Sequence, residues 1–137
     1  MTIHEARLRV RYAETDQMGI VYHANYLVWM EVGRVEFFRA RGLRYRDFET
    51  EAGLKLAVVE AGCRYHSPAR YDDEIAVRTQ VTETNARMVV FGYEIVNAAT
   101  GQTLATGHTK HVFLDSEGKP RKVPEAYRPA FAADSES

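Results

Sequence analysis

Residues 12–26 read YAETDQMGIVYHANY, and the way this stretch ends decides the fold: a loop holding one acid, Asp16, runs directly into a long apolar helix. Before it, Ala6, Leu8, Val10 and Tyr12 alternate with Glu5, Arg7, Arg9 and Arg11, the period-two pattern of a half-buried strand. After it, from about Asn25 to Arg41, the spacing becomes helical, with Leu27, Met30, Phe37 and Phe38 among the apolar positions and Gly42 as the stop. The chain thus opens strand, loop, long helix. A helix start presents unpaired N–H groups and partial positive charge, so it can hold a developing oxyanion while a nearby carboxylate attacks or activates water. The local chemistry points toward acyl transfer.

Beyond the helix, Tyr45 to Ala52 reads as a short helical turn and Leu54 to His66 as a strand ended by the Ser67-Pro68 breaker. Ile75, Val77, Thr79 and Val81 alternate with Ala76, Arg78, Gln80 and Thr82, a third strand. Met88 to Ala98 and Thr103 to Asp115 supply two more, joined by a turn over 97–101, and 124–131 makes a terminal helix or turn. Short links between successive strands require antiparallel neighbours. The result is a single α+β domain over residues 1–132, followed by a flexible tail at 133–137. One helix covers one face of such a sheet, and the remaining face and edges call for self-association, at least a dimer.

Composition narrows the partners. A 137-residue chain with 45% hydrophobic and 27% charged residues can bury a core without disulfides or metal. Its net charge of −1 argues against a nucleic-acid partner and for a small molecule. Cys63 is alone, which excludes an intrachain disulfide or a cysteine zinc site and fits a reducing compartment. The N-terminus lacks the apolar core of a secretory signal, and no run approaches the ~18 apolar residues of a membrane span, so a cytoplasmic location is expected. His108 and His111 lie three apart in a strand and point to opposite faces, against a shared metal. Cys63 has no nearby base, and Ser67 lacks a G-x-S-x-G setting.

The T-D-x-x-G-I-V-Y-H-A-N-Y core within Tyr12–Gly42, supported by S-P-A-R-Y-D-D at Ser67–Asp73, resembles the hotdog-fold acyl-CoA thioesterases of the 4-hydroxybenzoyl-CoA thioesterase class, especially their Tol-Pal-associated bacterial branch. The resemblance implies a five-stranded antiparallel sheet wrapped around a central helix. It also implies a homodimer with sites at the subunit interface, with dimers pairing into a homotetramer. The implied reaction hydrolyses an acyl-CoA thioester to free acid and CoA, with no cofactor beyond the CoA of the substrate itself. Asp16 would be nucleophile or general base, and the backbone amide at His23 would polarise the carbonyl. A thioester carries a good leaving thiolate, so one carboxylate and one oxyanion donor suffice for this chemistry.

Around those two residues, the His23 imidazole can position groups by hydrogen bonding, and Tyr22 and Asn25 can shape or cap the site. Arg64, Arg70 and Arg87, at strand ends or adjoining turns, offer guanidinium groups to CoA phosphates. In another hotdog branch the acid comes from the helix, which makes Glu31 the rival carboxylate; its plainer role is an ion pair with Arg34 at i, i+3. Two other functions stay open: a non-catalytic protein binding acyl-CoA or acyl carrier protein, and an enoyl-CoA hydratase using Asp16 with His23. The acyl group is undetermined, and Trp29, Phe37, Phe38 and Tyr65 either line its pocket or, more simply, form core.

Overall fold

The computed structural model describes residues 2–133, so the tail read at 133–137 lies, apart from Ala133, outside the described residues. Five strands form the sheet: β1 (His4–Arg9), β2 (Lys55–Tyr65), β3 (Glu74–Thr84), β4 (Met88–Asn97) and β5 (Thr103–Leu114). Their spatial order is β1-β3-β4-β5-β2 and every neighbouring pair is antiparallel. Two helices, α1 (Asn25–Ala40) and α2 (Tyr45–Ala52), fall between β1 and β2, and a 3₁₀ segment over Glu125–Phe131 ends the described chain. This is the α+β architecture that the order of elements implied and the hotdog sheet that the resemblance implied, with boundaries within one to two residues of the expected ones except at the end of β1.

The sheet curves because register shifts fall between Val58 and Glu60, Val81 and Glu83, and Ile95 and Val96. Each such irregularity bends its strand and raises the local twist, which lets the sheet close round α1. The inner face meets Trp29, Met30, Gly33, Phe37 and Phe38 of α1, all buried. At the C-terminal end of α1, Phe131 seals the core: its ring lies 5.1 Å from Phe38, 5.2 Å from Phe48 and 5.1 Å from Phe113, in edge-to-face contacts. The terminal segment read only as helix or turn is therefore a core element.

Two apolar positions depart from the periodic reading. Tyr12, expected as the last inward residue of β1, instead begins a 3₁₀ turn and is 77% exposed, because β1 stops at Arg9. Leu27 is 40% exposed, as are Val28 (48%) and Val32 (36%), giving α1 an uncovered apolar side.

Gly33 is where α1 comes closest to the sheet. A Cβ there would sit 2.5 Å from Thr79 Oγ1 and 2.7 Å from Val77 Cγ1, both on stiff, fully buried β-branched side chains of β3. Gly33→Ala gains about 1 kcal/mol of helix propensity but overpacks this contact at about 1–3 kcal/mol. With neither neighbour able to give way, we expect a net loss and a lower midpoint in thermal unfolding; a raised midpoint would show that α1 can lift without cost.

Candidate active site

The loop leading into α1 is folded by its own backbone. Asp16 N–H donates to the Ile20 carbonyl at 2.8 Å, Gly19 N–H to the Asp16 carbonyl at 3.0 Å, and Thr15 and Val21 form an antiparallel bridge. Gly19 closes this small hairpin at φ 80, a left-handed conformation suited to glycine. Asp16 Oδ1 accepts the Met18 N–H at 2.8 Å, the turn-forming role common for aspartate, while Oδ2 has no hydrogen-bond partner among the described residues. Half of the carboxylate thus fixes the loop and half remains available.

The helix start supplies the complementary group. Asn25, Tyr26 and Leu27 donate backward to the carbonyls of Tyr22, His23 and Ala24, whereas the N–H groups of His23 and Ala24 meet no acceptor among the described residues. Ala24 occupies the cap position without a side-chain cap. A free pair of N–H groups at the positive end of a sixteen-residue helix is an anion-holding geometry. The Tyr65 hydroxyl donates to the His23 carbonyl at 3.0 Å and fixes that peptide. Burial, with the neighbouring Cys63 thiol, pushes the Tyr65 phenol up to about 12, so it stays protonated and remains a donor.

Ile20, Val21, His23, Tyr26, Tyr65, His66, Ser67 and Pro68 line a groove of about 300 Å³ at this point. The S-P-A-R-Y-D-D stretch is its far wall. Val21 N–H donates to the Ala69 carbonyl at 2.9 Å and Ala69 N–H to the Tyr26 hydroxyl at 3.1 Å, while Val10, just past β1, donates its N–H to the Asp73 carbonyl and accepts the Asp72 N–H. The second motif therefore clamps the first.

The Thr15–Val21 bridge and the bonds from Tyr22 N–H and Asn25 Nδ2 to the Glu14 carbonyl set the loop that carries Asp16 beside the mouth of α1, where Tyr22, His23 and Asn25 lie. The His23 imidazole lies against Tyr22 with the rings tilted at 50° and centroids 4.5 Å apart, and makes no hydrogen bond to Asp16. Asn25 does not cap the helix; its Nδ2 donates to the Glu14 carbonyl at 2.9 Å. Arg64 shares the outer face of the sheet with Gly62 and His108, opposite to the side on which Tyr65 reaches His23. Arg87 sits in the β3–β4 turn, a strand length of about 30 Å from the groove within one chain. Arg70, in the clamp loop, is exposed and makes no ion pair among the described residues.

Of the aromatics left open between pocket and core, Trp29, Phe37 and Phe38 are core at 1–2% exposure, and Tyr65 belongs to the groove. The ion pair expected between Glu31 and Arg34 is not formed. Arg34 Nη1 donates instead to the Tyr93 hydroxyl at 3.2 Å, and Glu31 and Arg34 both border a separate cavity of about 120 Å³ with Tyr45, Leu56 and His111. His111 faces the core and His108 faces outward onto Glu60 at 2.7 Å, on opposite sides of β5 as spacing required.

Sequence reasoning missed Glu14, a buried carboxylate. Its Oε1 accepts the Arg11 N–H at 2.8 Å, and its Oε2 accepts the Trp29 indole N–H at 3.0 Å and an Arg11 guanidinium N–H at 3.3 Å. Burial acts to raise its pKa, but these donors together outweigh it and leave the carboxyl below the usual carboxylate range. A signal was present: Asn25 and Trp29 are both donors at i, i+4 on one helix face, and two donors aimed the same way call for an acceptor.

A curved antiparallel sheet round one helix, with a carboxylate loop at the start of that helix, defines a hotdog-fold protein. Residues 10–131 match the thioesterase-like superfamily, and the chain belongs to it. It is similar to the Bacillus subtilis (strain 168) protein YneP, 41% identical over 128 residues covering 93% of this chain and 91% of that one. It is also similar to the acyl-CoA thioester hydrolase YbgC of Escherichia coli O6:H1 (strain CFT073), 31% identical over 91% of this chain and 92% of that one. Among solved structures, a DHNA-CoA thioesterase from Staphylococcus aureus superposes with a TM-score of 0.87 at 32% identity, covering 94% and 85% of the two chains.

Proposed function

We propose that the chain hydrolyses acyl-CoA thioesters to the free acid and CoA. The observation that carries this reading is that one Asp16 oxygen and the N–H groups of His23 and Ala24 are all unengaged among the described residues, at the two ends of one short loop. In this reading the thioester carbonyl lies against the helix start, where the amides stabilise its oxyanion, and Asp16 attacks the carbonyl carbon or takes a proton from water. The names of the E. coli and S. aureus relatives support a CoA-linked substrate.

The working unit we propose is a homodimer, itself paired into a homotetramer, in the cytoplasm. Support comes from β2, an edge strand carrying Val58 and Val59 at 51% and 54% exposure, and from the uncovered side of α1. Among the described residues no helix is long and apolar enough to cross a membrane. Of Arg64, Arg70 and Arg87, the candidates for the CoA phosphates, Arg70 is favoured within one chain because it lies two residues after Pro68 of the groove.

Thiol release should be followed with short, long, branched and aromatic acyl-CoAs, with the same acyl groups on acyl carrier protein, and with crotonyl-CoA. Thiol release from at least one acyl-CoA is the expected result. Tight binding without turnover across the panel would make the protein a non-catalytic binder, and crotonyl-CoA consumed without thiol would make it a hydratase. The missing Asp16–His23 hydrogen bond disfavours the hydratase.

A further inference from the structure

Glu14 is a positioning residue for the reaction, and we infer that its charge, not only its bulk, sets the Asp16 loop against the start of α1. The inference rests on the hydrolase reading above. Glu14 is 5% exposed and lies two residues before Asp16, yet it touches neither the groove nor any residue proposed to meet the substrate through its side chain. What it touches is the framework on both sides. Its carboxylate accepts from Arg11, at the end of the first strand's run, and from Trp29, one turn into α1. Its backbone carbonyl accepts the Tyr22 N–H at 2.8 Å and the Asn25 side chain at 2.9 Å.

These contacts bracket the site. Tyr22 precedes the unengaged N–H of His23, and Asn25 follows that of Ala24, so the Glu14 carbonyl fixes the chain on either side of the two proposed oxyanion donors. The Glu14 side chain fixes its own peptide in turn, by locking to the indole of the same helix. Glu14, two residues before Asp16 in the chain, thereby ties the Asp16 loop to Tyr22, Asn25 and Trp29, the residues that flank and carry the helix amides. Reaction rates depend steeply on such placement, since a misplacement of about 1 Å can cost about 100-fold.

Every donor around the carboxylate is a hydrogen-bond donor only: a backbone N–H, a guanidinium and an indole N–H. Glutamine has the same shape but must turn an NH₂ toward either the Arg11 backbone N–H or the Trp29 indole with the Arg11 guanidinium, placing donor against donor. Glu14→Gln should therefore shift the loop from α1 without emptying the core.

Steady-state thiol release and thermal unfolding should be measured for Glu14→Gln, Trp29→Phe, the double variant and Asp16→Asn on the best substrate of the panel. For Glu14→Gln we expect kcat to fall about 10- to 100-fold with KM within about threefold. Trp29→Phe, which removes the indole N–H, should lower kcat less, and the double variant should be no worse than Glu14→Gln alone because the donor that clashes with the amide is gone. Wild-type kcat in folded Glu14→Gln overturns the inference, even if its unfolding midpoint drops. Should Glu14→Gln fail to fold, wild-type kcat in Trp29→Phe overturns it equally. If Asp16→Asn is inactive while Glu14→Gln is fully active, only the role of Glu14 falls; if Asp16→Asn is fully active, the hydrolase mechanism falls with it.

Discussion

Asp16→Asn lowers kcat for thiol release by about 10²- to 10⁴-fold, the span a positioned general base contributes. The amide keeps the shape of the carboxylate and can still accept the Met18 N–H, so the hairpin from Thr15 to Val21 and the mouth of the groove are retained. What it loses is the charge at the second oxygen, which can then neither attack a thioester nor take a proton from water. A single turnover in ¹⁸O-labelled water separates the two routes. In the covalent route the acyl carbon bonds to the Asp16 oxygen as the C–S bond breaks and thiolate leaves, and water attack on the aspartyl carbonyl leaves label in the Asp16 carboxylate. In the general-base route the label goes only to the released acid. Undiminished kcat in Asp16→Asn would remove this residue from the chemistry and send attention to Glu31, the acid left without its expected Arg34 partner.

The order of elements and the position of the carboxylate loop were legible in the sequence because they depend on local pattern: alternation in β3, helical spacing from Asn25, glycine at the stops. What local pattern could not carry was anything decided across the fold. Tyr12 continues the alternation of β1 but is exposed, since strand pairing with β3 ends at Arg9 and the chain then turns under Glu14. Glu31 and Arg34 have ideal pairing geometry on an isolated helix, yet the Tyr93 hydroxyl on β4 takes the guanidinium. Arg64 and Arg70 look alike in sequence; only the pleat of β2 and the path of the clamp loop send one to the outer face and the other beside the groove. Glu14 was hidden for the same reason, its partner Trp29 lying fifteen residues on.

His111 gives the second large effect, a loss of stability in mild acid. Its side chain is 1% exposed, and burial, reinforced by the positive charge of Arg34, holds its pKa down to about 3. Arg34 donates to the Tyr93 hydroxyl, which lies 2.6 Å from Thr109 Oγ1, and Thr109 Oγ1 lies 2.8 Å from His111 Nε2. With Tyr93 donating to Thr109 and Thr109 to the ring, Nε2 is the acceptor and the proton sits on Nδ1, which has no partner among the described residues. A second proton on the ring would have to enter at Nε2, against Thr109, and would be a buried charge facing Arg34. The folded protein therefore refuses a proton that the unfolded chain binds below its ordinary value of about 6.5. Because the folded pKa is the depressed one, stability is unaffected above about 6.5 and falls as pH drops toward about 3, by about 1.4 kcal/mol per pH unit for this one site. Glu14 and Glu5, also depressed, lose their contributions in the same direction but only below the ordinary carboxylate range, about 4. Between pH 6.5 and 4.5 the fall of about 2–3 kcal/mol thus belongs to His111. Chemical denaturation at half-unit steps should show this slope in the wild type and its loss in His111→Gln, which keeps an acceptor for Thr109 and cannot titrate. An equal slope in the two proteins would mean that His111 takes up its proton in the folded state, with the Thr109 hydroxyl turned to accept from it.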